Sequence, residues 1–398
     1  MKTRVNNLLN ILLWSVYWLI VIWGPHLFPF HIGPVALYPL RVISIIWLLC
    51  VPFIAKFKRA FTYIENKKVS NLMLLFLAVG VITMLWAPDK TAALTYLIIY
   101  ITSIIVFFMT ASFIVDEESL SCASIGIIIN ALIMMSLAII ESRTGKYIFE
   151  TDKDSLFYVY NMFGTFRPKA AFHNVNNLAV FFAIVMPLSI MVLKDSMFNR
   201  ILKIILVGLL SYGMVLTDSR SGFLCILLSV FLILYFDNKL SNVRLRVVLF
   251  VLFVSCVSLI IKYHDYIWLL VFPKDISDEA RLPIWQGFLR VAENNVFLGG
   301  GMGNSSALNQ MVNHNEIPPH NYLLELLVEF GIVGLTAFLL WIKKCLPKGQ
   351  DKYSNYLKIC FIVMLICSIT PSSMIEMYYM WAIWGISLSY NNYTKITV

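Results

Sequence analysis

A succession of apolar runs constrains this chain more than any other feature. Each is close to the twenty or so residues that an α-helix needs to cross the hydrocarbon core of a bilayer. About twelve are placed, near residues 9–28, 36–55, 70–87, 92–115, 120–141, 176–193, 203–217, 221–236, 246–262, 322–341, 357–371 and 374–390. A soluble domain carries about a quarter charged residues, whereas here 13% are charged and 60% are hydrophobic. The expected fold class is an all-α polytopic membrane protein, a single integral membrane domain over residues 1–398. Its first run follows Lys2 and Arg4, as in a signal peptide, but it is too long and lacks a small-residue cleavage site. It therefore reads as a retained span.

The net charge of +9 is explained by orientation rather than by nucleic acid. Lys and Arg collect in cytoplasmic loops. With the N-terminus inside, the inner segments hold Lys2 and Arg4; Lys56, Lys58, Arg59, Lys67 and Lys68; Lys194, Arg200 and Lys203; Lys239, Arg244 and Arg246; and Lys343, Lys344, Lys348, Lys352, Lys358 and Lys395. The short outer loops carry almost none, so the expected topology is N-in and C-in. Two outer loops are long, about residues 141–176 and 263–321, and connections of that length are usually functional. The second is rich in aromatic and apolar residues, which disfavours disorder and predicts short surface helices. The seven cysteines have no C-x-x-C spacing, and packing accounts for them better than disulfides or zinc. No cofactor is indicated.

Four basic residues stand on the expected outer side, against the orientation signal. They are Arg167 before the sixth span, Arg220 in a short hairpin, Arg281 in the large loop and His320 at its end. An arginine fork suits phosphate oxygens, so converging arginines would hold an anionic headgroup. For any one alone, a local ion pair is the simpler account: Asp218 lies beside Arg220, and Asp278 and Glu279 precede Arg281. A lone His at a helix start is more often structural. However, Pro318 and Pro319 fix the approach of His320, and a neutral imidazole there is placed to take a hydroxyl proton. Asn321 is a cap for the next helix. With Glu325 and Glu329 it follows one helix face, with Glu325 near enough to the surface to reach water. Ionisable groups inside spans are functional candidates. Arg41 in the second span is another, with a functional role and an ion pair to one of those carboxylates equally open. The Gly299–Gly303 run lacks a βαβ context and reads as a tight turn or as backbone close to a ligand.

The pattern His320-Asn321-x-x-Leu324-x-x-Leu327-x-Glu329-x-Gly331 resembles the hallmark of the O-antigen ligase and surface polysaccharide polymerase superfamily. Arg281-x-x-x-Trp285 with the glycine run, Ser219-Arg220-Ser221, and Phe172-His173-Asn174-x-Asn176-x-Leu178-Ala179 resemble its other segments. The resemblance covers roughly residues 167–334. It implies a glycosyltransferase-C-like bundle in the bacterial cytoplasmic membrane, with an outward-facing site for inverting, metal-independent glycosyl transfer. The donor would be an oligosaccharide on undecaprenyl diphosphate. The acceptor would be a sugar hydroxyl on a second lipid-linked glycan, for a polymerase, or on lipid A core, for a ligase. Catalytic roles fall to His320, which orients or deprotonates the acceptor, and to Arg220 and Arg281, which hold the diphosphate. Arg167, Asn321, Glu325, Glu329 and Arg41 are the expected substrate-binding or supporting residues. Partner flippases and chain-length regulators are implied, besides membrane lipids. A lipid-linked oligosaccharide flippase is the competing class, but it would need polar residues along a central path and detectable repeats.

Overall fold

The computed structural model describes residues 2–28, 30–32, 35–53, 67–149, 166–193, 196–236, 281–368 and 374–396. The expected span near 246–262 and parts of both long loops, residues 150–165 and 263–280, lie outside them. In order, the helices are α1 (Lys2–Trp23), α2 (Pro39–Cys50), α3 (Lys67–Thr83), α4 (Lys90–Phe113), α5 (Glu117–Thr144), α6 (Val175–Val192), α7 (Met197–Thr217), α8 (Arg220–Phe236), α9 (Arg281–Asn294), α10 (Ser305–Asn313), α11 (Tyr322–Cys345), α12 (Lys352–Cys367) and α13 (Tyr378–Ile396). The fold is helical as expected, except for a short antiparallel ladder that pairs β1 (Phe30–Ile32) with β2 (Val35–Leu37). Polar residues at span ends start several helices. Asp89 accepts from Thr91 N and Ala92 N at the start of α4, and Asn174 accepts from Asn176 N at the start of α6, satisfying donors that a helix start leaves orphaned.

Among the described residues, seven helices are long and apolar enough to cross a membrane: Asn7–His26, Lys68–Trp86, Lys90–Phe113, Glu117–Thr144, Val175–Val192, Met197–Thr217 and Tyr322–Cys345. Pro39–Cys50 and Gly222–Phe236 are apolar but shorter. The chain forms two compact units. One holds Met1–Ala123, Glu279–Gly349 and Ser368–Val398, and the other Ser124–Asp278 and Gln350–Cys367.

An aromatic column forms the core of the first unit. Phe76 of α3 stacks on Phe330 of α11 at 4.6 Å, Tyr100 of α4 meets Phe330 edge-on at 5.2 Å, and Trp341 stacks on Trp381 of α13 at 5.1 Å. Gly385 lets α13 lie directly on the Phe107 carbonyl of α4, the close approach that small residues permit between membrane helices. The second unit is built around α6, which is apolar on every side and buried from Leu178 to Met191. A helix of that kind belongs inside a bundle. Glycines bring its neighbours close: a Cβ on Gly213 of α7 would stand 2.7 Å from Phe182, and one on Gly222 of α8 2.6 Å from the Ala179 methyl.

Helix α11 is broken. Gly331 has φ 69 and ψ −173, so its backbone leaves the helical path between two apolar halves. The freed groups are paired by the segment that follows α9. Gly300 N donates to Val328 O at 2.8 Å, Gly301 N to Glu329 O at 3.2 Å, and Ile332 N to Phe297 O at 2.9 Å. Trp86 at the end of α3 donates its indole N–H to Gly299 O at 2.7 Å. Non-helical backbone at membrane depth is tolerated only where protein or cavity water satisfies it, and here protein does so. The glycine run thus approaches a helix backbone rather than a ligand. A Cβ on Gly299 would stand 2.6 Å from Glu329 O, and one on Gly331 would press on Phe297 O and stand 2.7 Å from Gly299 N. Gly331→Ala is expected to cost roughly 2 kcal/mol or more, measured as a fall in melting temperature of the purified protein. Gly208→Ala, where a Cβ meets nothing within 4 Å, should leave the melting temperature within a degree or two of wild type.

Candidate functional site

The candidate residues fall on both units, and each unit builds its own part. In the second unit the construction starts from Glu141, in the last turn of α5 and 0% exposed. Its carboxylate accepts from Ile148 N at 3.0 Å, Lys169 N at 2.9 Å and Ala170 N at 2.8 Å. A carboxylate buried this deeply persists only when its oxygens are satisfied, and here backbone N–H groups do so. They fix the loop that carries Arg167. Tyr147 adds a bond from its hydroxyl to Arg167 O at 3.1 Å, and the Lys169 ammonium lies 4.6 Å above the Tyr147 ring.

Arg167 then reaches Asp218. Its Nε and Nη2 donate to Asp218 Oδ2 at 3.1 and 2.8 Å, with both side chains largely buried. Asp218 ends α7 in the left-handed region, φ 49, where Asp is among the few residues tolerated. Next, Ser219 donates to Asn176 Oδ1 at 2.7 Å and accepts from Gly222 N at 3.2 Å, capping α8. Arg220 is the first residue of α8, so four neighbouring side chains fix its backbone. The sequence reading set Asp218 beside Arg220 as a local pair; the Arg220 side chain lies outside what the structure describes, and the structure adds Arg167 as a partner of Asp218. That turns Arg167 from a free electrostatic helper into the residue that holds the turn.

In the first unit, α9 packs Phe288, Val291 and Ala292 against Leu308, Leu324 and Val328. Arg281 is the first residue of α9, one helical turn before Trp285. The Trp285 indole donates to Pro319 O at 3.0 Å, so the family-like Arg-x-x-x-Trp spacing is anchored at the residue before His320. Asn309 Nδ2 donates to Ile317 O at 3.1 Å, and Asn313 Nδ2 to Gly287 O at 3.0 Å; these bonds tie α10, α9 and the approach to His320 together. His320 is half-buried and has φ 47. A non-glycine residue held there is strained, and such residues concentrate at functional sites. Asn321 caps α11 as expected, with Oδ1 accepting from Leu324 N at 3.2 Å. Tyr322 N donates to Ser368 O at 2.8 Å.

Of the two carboxylates of α11, Glu325 departs from the sequence reading, whereas Glu329, deeper in the span, has the partners it needs. Glu325 is 2% exposed, so it does not reach water. Glu329 accepts from Gly303 N at 2.8 Å and Ser305 N at 3.2 Å and so caps α10 from another element. Asn304, which precedes α10, makes no such cap. Its amide brackets Asp89 instead, accepting from Asp89 N at 2.7 Å and donating to Asp89 O at 3.0 Å. Arg41 is also buried; its Nη1 donates to the Ala36 carbonyl and its guanidinium lies 4.7 Å above the Tyr38 ring. Tyr38 is hydrogen-bonded to Tyr378 at 2.5 Å. Thus Arg41 closes a packing cluster and makes no ion pair with Glu325 or Glu329.

Sequence reasoning missed Glu141 and Asn304. A lone acidic residue at the end of a long apolar run was the only signal for Glu141, and nothing marked Asn304. Glu141→Gln places an amide N–H₂ against backbone donors, which should destabilise the protein by about 1–3 kcal/mol. The checks are a lower melting temperature and faster proteolysis between residues 166 and 171.

A family model described as O-antigen ligase matches residues 205–339. Among the described residues it takes in the Asp218–Arg220 turn, α9 with Arg281 and Trp285, the glycine loop and the His320–Gly331 stretch. No curated protein matches the chain. Over residues 205–339, about a third of its length, this chain is similar to the O-antigen ligase family.

Proposed function

We propose that the protein is a polymerase that joins lipid-linked oligosaccharide repeat units on the outer face of the cytoplasmic membrane. The observation that carries this reading is the constrained His320. It has left-handed backbone, a preceding carbonyl held by Trp285 and a following residue that caps α11. A residue whose backbone is fixed in this way pays less ordering cost when a substrate arrives. In the proposed step the acceptor hydroxyl oxygen attacks the anomeric carbon of the donor as its proton passes to His320. The bond from that carbon to the diphosphate oxygen breaks with inversion, and undecaprenyl diphosphate leaves with the electron pair. Arg281 and Arg220 take the roles that the resemblance gives them. Each guanidinium fork neutralises diphosphate charge as it develops, an effect strongest where water is excluded.

Arg167, Glu329 and Asn321 act one step removed. Arg167 holds the turn that carries Arg220, Glu329 holds the loop between α9 and α11, and Asn321 starts the helix behind His320. Glu325 and Arg41 keep their proposed supporting roles in substrate binding. The family description itself favours the second reading, in which the acceptor is lipid A core and the protein is a ligase.

Complementation in the source bacterium separates the two readings. His320→Ala, Arg281→Ala and Arg220→Ala are each expected to reduce product by two or more orders of magnitude, with membrane expression unchanged. Single repeat units should accumulate on the lipid carrier if the protein is a polymerase, and full-length chains if it is a ligase. Wild-type ladders from all three variants would remove the proposed site. Trp285→Phe keeps an aromatic ring on α9 but removes the bond to Pro319. It is expected to lower product formation about tenfold or more through misplacement of His320, measured by the same ladder.

A further inference from the structure

Lys68, Val69, Lys344, Lys348, Leu388, Asn391 and Asn392 line a cavity in the first unit of about 220 Å³. At about 30 Å³ per water molecule, that is space for a small polar group with a few waters, not for a lipid tail or an oligosaccharide. The cavity lies at one end of three helices: the start of α3, the last turn of α11 with the segment just beyond it, and the C-terminal part of α13. Two of these, α3 and α11, are long and apolar enough to cross a membrane, so their shared end lies at headgroup depth. The lining contains three lysines and no carboxylate. The frame around them is fixed: Asn391, 5% exposed, accepts from Lys348 N at 2.9 Å and donates to Leu346 O at 2.8 Å. That clamps the exit of α11 and sets Lys348 beside Lys344. All three lysines are exposed and present positive charge to an anion, and the amide of Asn392 adds a polar partner at the rim.

We propose that this cavity binds the phosphate of an anionic phospholipid headgroup, which no part of the glycosyl transfer requires. Buried Val69 and Leu388 in the lining favour a headgroup whose acyl chains run down the apolar outside of α3 and α11 over free phosphate. Full-length protein, delipidated in neutral detergent, is titrated with phosphatidylglycerol or phosphatidylcholine, and bound lipid is counted by native mass spectrometry. Wild type should retain phosphatidylglycerol in preference to phosphatidylcholine, and the preference should fall about fivefold for each lysine replaced in Lys344→Gln/Lys348→Gln. Lys343→Gln, an equal loss of charge beside Lys344 but outside the lining, should leave it unchanged. Millimolar inorganic phosphate should not displace the lipid. Displacement would make the ligand a free phosphate and overturn the lipid assignment. An unchanged preference in the double variant, or an equal loss in Lys343→Gln, would overturn the site. If the double variant melts early, Lys68→Gln alone makes the same comparison from α3.

Discussion

The break in α11 at Gly331 is the constraint from which the first unit follows. A helix crossing lipid normally satisfies its own backbone, and any interruption exposes donors and acceptors that cost several kcal/mol each in hydrocarbon. Here the interruption is filled by a loop whose own backbone has been made narrow. Gly299 and Gly301 have φ 89 and 128, and side chains at either position would collide with backbone or with Ala87. Because the loop must enter to satisfy the helix, the elements on either side of it, α9 and α10, are drawn onto the N-terminal half of α11. Those are the elements that position Arg281, Trp285 and the approach to His320.

Each unit uses a buried carboxylate for the same physical purpose. Glu141 gathers three backbone N–H groups, and Glu329 gathers two. An unpartnered carboxyl group in such surroundings would be too costly to keep, and the backbone N–H groups satisfy its oxygens. In apolar surroundings they also have few competitors. A loop held by one such group is fixed at several points by a single side chain, which suits loops that must present arginine or histidine in one orientation. The left-handed residues at Asp218 and His320 show where that fixing overrides local preference.

The class of the protein, its helical character and the family pattern were all legible before any coordinates. They depend on local properties: run length, charge placement and residue spacing along one helix. The capping role of Asn321 was equally legible, since a cap acts within four residues. What could not be read were the partners. Asp218 was assigned to its sequence neighbour, and nothing along the chain pointed to its bond with Arg167, 51 residues away. Glu325 was expected to reach water from one turn inside the span, yet packing covers it. Arg41 was open between an ion pair and a binding role, and its partners turned out to be a carbonyl and a ring close in sequence.

The sequence by itself determined that this chain enters a membrane as a helical bundle and that its distinctive polar residues cluster before α6, before α8 and before α11. It could do so because hydrophobic transfer and helix periodicity act on contiguous stretches. Only the tertiary structure decided which of those residues hold loops. Glu329 and Arg167 became anchors because backbone N–H groups and a carboxylate from distant segments happened to need them. Long-range pairing depends on how helices pack, and no spacing along the chain records it.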